Sequence, residues 1–202
     1  MSLLDVQRSL VGFSRGSITA FQNCQNLTPR EQNWLTNVWN SPGLNVTQQI
    51  QQWWRISRVL STANLTVELL KRNDQADLII DYITTEPIHT LFFSAELEQF
   101  KIFLQAHPQV DQTTKAVIAF EAGIKAAMQV IAANAFHTNF FPISLTFWQK
   151  PASLFTAIIT GSPLPDIEPT PYYLEINPRL ESLWVCHKQQ CIPGTTNHLA
   201  QL

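Results

Sequence analysis

The chain has 202 residues, enough for one sizeable core or two small ones, and 45% of them are apolar, which excludes a disordered segment. Only 14% are charged, the net charge is −2, and no basic run exceeds the pair Lys71-Arg72, which argues against phosphate-driven binding to nucleic acid. Polar positions are filled largely by Gln, Asn and Thr, as in Gln48, Gln49, Gln51 and Gln52, so a neutral surface, partly covered by a partner, is expected.

Apolar residues at Leu3, Val6, Leu10 and Phe13 line one face of a first helix running toward Ala20. Thr28-Pro29-Arg30-Glu31 has the form of a capping box with Pro at the first helical position, and opens a helix carrying Trp34, Leu35 and Val38. Ser41-Pro42-Gly43 breaks the chain, and Asn45 or Thr47 is expected to cap a helix through Ile50, Trp53, Trp54, Ile56, Val59 and Leu60. Further helices are expected over Leu65–Leu70, Ala76–Thr84, Thr90–Ala106 and Gln112–Ala135, separated by Pro87 and Pro108. The period then changes. Phe141 to Trp148 alternates apolar and polar residues as a half-buried strand does, and Pro151 to Thr160 is a short helix closed by Gly161. After a proline-rich loop, Tyr172–Ile176 and Leu183–His187 read as a hairpin around Asn177-Pro178-Arg179. The expected fold class is α+β: an N-terminal helical bundle over 1–138 and a small β-α-β-β module over 139–202, with a loose tail from Gln189.

The N-terminal stretch places Asp5 where a signal peptide would begin its apolar run, and no apolar stretch is long enough to span a membrane, so a cytoplasmic location away from membranes is expected. Cys24, Cys186 and Cys191 are an odd set that indicates no disulfide framework. Cys186-His187 with Cys191 and His198 offers thiolates and imidazoles of the kind zinc takes. Adjacent strand residues point to opposite faces, however, and the spacing matches no finger, so no metal is assigned. His89, His107 and His137 lie near helix boundaries without a second ligand one turn away. Glu96 and Glu98 read as a solvated face, and Glu121 is either a buried acid or an outward one. There is no nucleophile elbow, no glycine-rich phosphate loop and no catalytic residue to name. Trp53, Trp54, Arg55 and Arg58 are the candidate partner-binding residues, because Trp and Arg dominate interface hot spots, although Trp packed between helices is equally common. The sheet edge formed by Tyr172, Tyr173 and Leu174 or by Leu183, Trp184 and Val185 is the candidate peptide-binding site.

Leu27-Thr28-Pro29 with Glu31, Pro42-Gly43-Leu44, Trp54-Arg55-Ile56-Ser57-Arg58, and Ala63 with Leu65-Thr66 occur in an order that resembles the helical half of one bacterial protein family. These are the accessory proteins encoded beside multinuclear non-haem iron oxidative enzymes, as in methanobactin-type peptide maturation. Pro87, Leu91-Phe92-Phe93, Glu96, Phe100 and Phe120-Glu121 are similar in order and spacing, and Leu154-Phe155 to Ile159, Gly161, Pro163 and Tyr172–Ile176 agree more loosely. The resemblance implies a non-catalytic role without a cofactor. The partners it implies are an oxidative iron enzyme and the leader region of a ribosomally made precursor peptide. Cys186, His187 and Cys191 depart from that pattern. Two other classes remain open. One is an enzyme or cofactor binder with a bundle pocket lined by Phe92, Phe100, Phe103 and Phe120. The other is a regulator using the C-terminal module as a winged helix, which lacks a basic face.

Overall fold

A computed structural model describes residues 3–16, 27–86, 93–133 and 141–188. Helix α1 (Leu3–Ser14) is followed by Gly16 at φ +76°, a conformation that ends the helix short of Ala20. Thr28 forms the capping box at the start of α2 (Pro29–Trp39): its hydroxyl accepts from the Glu31 amide, and its own amide donates to the Glu31 carboxylate at 2.8 Å. The next cap differs from the expectation. Ser41, not Asn45 or Thr47, accepts from the Leu44 amide, so Pro42 takes the first position of α3 (Pro42–Thr62), where its missing N–H costs nothing. Helices α4 (Asn64–Arg72), α5 (Asp77–Thr85), α6 (Phe93–Ala106) and α7 (Gln112–Ala132) follow. The last is capped by Asp111, whose carboxylate accepts from the Thr114 amide. Strand β1 (Ile143–Phe147), helix α8 (Pro151–Thr160) and strands β2 (Tyr172–Ile176) and β3 (Trp184–Lys188) complete the order, which is a helical bundle followed by a β-α-β-β module.

The chain divides into two compact units, Met1–Phe103 and Leu104–Leu202, so the division falls in the last turn of α6, upstream of the boundary expected near Asn139. The reason is packing: α7 lies on β1 and β2, and its apolar side supplies one wall of the second core. Gly123 permits this approach, since a Cβ there would sit 2.6 Å from the Ile176 terminal methyl.

In the first unit, Phe13, Leu27 and Leu35 form a buried cluster joined by Trp39, whose ring lies 5.0 Å from that of Phe13. Tyr82 packs against Phe100 and Phe103. In the second unit Phe120 stacks on Phe155 at 4.4 Å, and Trp184 meets both edge-on. The three strands are antiparallel in the order β1-β2-β3, with Leu145, Leu174 and Cys186 in one cross-strand row and Thr146, Tyr173 and His187 in the next. Leu183, expected inside the last strand, instead precedes it at φ +64°, a left-handed turn residue whose carbonyl accepts from the Asn177 amide. Among the described residues no helix is long and apolar enough to cross a membrane.

Candidate functional site: a strand edge beside α7

The strand order decides which part of the sheet can take up a peptide. β2 is hydrogen-bonded on both sides, so it is no edge, and the expectation of strand addition along Tyr172–Ile176 is corrected. Leu174 and Ile176 are fully buried under the helices, Tyr172 is buried, and Tyr173 faces away from that core. Tyr172 donates to Glu168, whose carboxyl is held below its usual range by Lys188 and then by Tyr172. The free edges among the described residues belong to β1 and β3. On β3, Trp184 is committed to the aromatic core through Phe120 and Phe155, Val185 is half-buried, and the strand ends in Lys188, ion-paired with Glu168. A lysine near an edge blunts strand addition.

Among the described residues, β1 itself carries no such charge. Ile-Ser-Leu-Thr-Phe carries no charge, and Pro142 stands just outside it. Its edge borders a groove of about 350 Å³ whose other wall is α7, with Ala116 and Ala119 leaving the space and Lys115 supplying the positive charge at its margin. The end of the groove is fixed by Gln149, which is 6% exposed: its amide donates to the Pro165 carbonyl at 2.8 Å and its oxygen accepts from Thr113 at 3.0 Å. Two short elements and a loop are thereby tied to the start of α7. None of Lys115, Ala116, Ala119 or Gln149 was singled out in the sequence. The uncharged alternation of Ile143–Phe147 was the one available signal.

The four residues expected to bind a partner separate into two pairs. Trp53 and Trp54 are 69% and 57% exposed. Arg55 and Arg58 point the other way and are buried, which corrects their assignment to a surface. Arg55 Nε donates to Glu96 at 2.9 Å, one of its terminal nitrogens donates to the carbonyls of Ile83 and Glu86, and its guanidinium lies 5.0 Å from the centre of the Tyr82 ring. Glu96 also receives the Tyr82 hydroxyl at 2.9 Å and lies 3.9 Å from Arg58. Glu96 is thus an interior counter-ion, while Glu98 remains outside and pairs with Lys101. Burial first, then the Glu96 charge, pushes the Tyr82 phenol well above its usual range.

Glu121 is buried in α7. Phe100 and Phe103 belong to the first unit and Phe120 to the second, where it stacks on Phe155, and Phe92 lies outside the described residues. On β3, His187 is exposed and Cys186 half-buried, with the Cys186 thiol pushed up by burial. Cys24, His89, His137, Cys191 and His198 lie outside the described residues. Among those described, no group of three or more His, Cys, Asp or Glu is placed to hold a metal. No family model, curated protein or solved structure matches the chain.

Proposed function

We propose that this chain is a non-catalytic accessory protein that holds the leader region of a ribosomally made precursor peptide for an oxidative iron enzyme, and that the peptide adds as a strand to the outer edge of β1. The observation that carries the reading is the outer edge of β1, unpaired among the described strands, with a groove beside it. An extended peptide there gains main-chain hydrogen bonds along Ile143–Phe147, and every second side chain enters the space over Ala116 and Ala119. Lys115 favours a peptide with a carboxylate at the groove margin. The order of Trp54-Arg55-Ile56-Ser57-Arg58, Glu96 and Phe120-Glu121, which resembles the accessory family, supports the same division of labour, in which the partner enzyme performs the oxidation.

The test begins with the tagged protein purified from its native host at moderate salt. A co-purifying peptide is then synthesised with a fluorescent label and titrated by anisotropy. Ala116→Trp and Ala119→Arg, which fill the groove, are expected to weaken binding at least about tenfold, the loss produced by removing one well-packed contact. Amide exchange should slow in Ile143–Phe147 on binding and stay unchanged in Trp184–Lys188. Exchange that slows only in β3, or groove variants that bind normally, would remove β1 from the account.

A further inference from the structure

Helix α3 is turned inside out in its chemistry. Its two charged residues, Arg55 and Arg58, face the interior, whereas Val46, Ile50, Trp53 and Leu60 are about half exposed or more. With exposed Ser57 these positions follow the alternating spacing of four and three residues that keeps one stripe along a helix, directly opposite the buried face of Arg55 and Val59. Trp54 stands at one rim. From Pro42 to Trp54 there is no charged residue, and the rims are formed by Gln and Asn.

We infer that this stripe is a self-association surface on which α3 of a second copy packs antiparallel, Trp53 of each copy lying against the small Ser57 of the other and Ile50 against Leu60. Charge permits this occupant. A two-fold contact brings a surface up against itself, so any net charge on it repels its own image, and a stripe with no charge meets its copy without that cost. Spacing selects the direction: antiparallel pairing sets each Trp53 over a Ser57, so that large meets small on both sides of the axis, where parallel pairing would set Trp53 against Trp53. Area sets the strength: even if wholly buried, the exposed surfaces of Val46, Ile50, Trp53, Trp54 and Leu60 in two copies only approach the roughly 1,200 Å² at which stable interfaces begin, so the dimer is a weak, concentration-dependent one. The inference is independent of the peptide reading, since α3 belongs to the first unit and the β1 groove to the second.

Sedimentation velocity on the full chain from low to high micromolar concentration tests it. A reversible dimer is expected, with little change in affinity between low and high salt because the stripe carries no charge. Trp53→Asp and the uncharged Ile50→Gln should weaken it by about thirtyfold or more while leaving the circular dichroism, and the melting at concentrations where the chain is monomeric, unchanged, since in the single chain both side chains are already in water. Ile50→Glu or Leu60→Lys alone should dissociate the dimer, and the two combined should restore it, because antiparallel pairing sets each new charge against its opposite. A chain that stays monomeric at every concentration overturns the inference, as does a dimer indifferent to Trp53→Asp or a double variant that fails to recover. A monomer whose α3 stripe is covered only on adding the co-purified enzyme also overturns it.

Discussion

Glu96 is the residue on which most of the first unit's interior polarity converges. It satisfies the Arg55 guanidinium and the Tyr82 hydroxyl and lies beside Arg58, so Glu96→Ala leaves two buried cations without their shared carboxylate and is expected to cost about 3–5 kcal/mol in urea unfolding. Tyr82 makes the same cluster sensitive to alkali. Its phenol titrates higher in the folded chain than in the unfolded one, so its contribution is complete below about pH 10, the unfolded value, and is lost as pH rises above that. Tyr82→Phe should flatten this alkaline loss in melts followed from neutral to high pH. In the sequence Glu96 reads with Glu98 as a solvated face, and the structure separates them: residues two apart on a helix point about 200° from each other, Glu98 lies outside, and Glu96 lies on the inner side with Leu97, Phe100 and Leu104. What the sequence cannot display is the partner, because Arg55 lies 41 residues upstream and its inward direction is set by tertiary packing.

Helices and strands were legible where chemistry is local. The Thr28–Glu31 box forms as its spacing requires, and Thr28→Ala should lower the stability of the first unit by about 1 kcal/mol in thermal or urea unfolding. The Glu31 carboxyl is held below its usual range by the Thr28 amide and hydroxyl. The box is therefore intact above the unfolded carboxylate value and opens as pH falls through the lower, folded one. Gly161, left-handed at φ +73°, likewise ends α8 where the sequence placed it. Strand order was not legible, because the alternation in β1, β2 and β3 specifies which face is buried and says nothing about which strand lies between the others. Gly123 shows the same limit: in sequence it is a weak point in a helix, and in the fold it is the place where α7 meets Ile176. Gly123→Val is expected to destabilise by about 1–3 kcal/mol, while Gly123→Ala asks only that one flexible methyl give way.

At the scale of the whole molecule, the change of period near residue 141 marks where helices give way to strands, yet the second unit begins earlier, because its sheet is covered by α7. A fragment of residues 139–202 lacks that cover and is expected to be unfolded by circular dichroism and amide dispersion, whereas 104–202 retains the helix and should fold. A folded 139–202 fragment would return the boundary to the change of period. In the first unit, Arg55 has a role beyond charge. It holds the carbonyls of Ile83 and Glu86 and the carboxylate of Glu96, gripping the chain on both sides of residues 87–92 from a third helix. One side chain thus fixes how the end of α5 and the start of α6 face each other, so Arg55→Ala is expected to loosen both together, seen as faster amide exchange at Ile83–Glu86 and around Glu96.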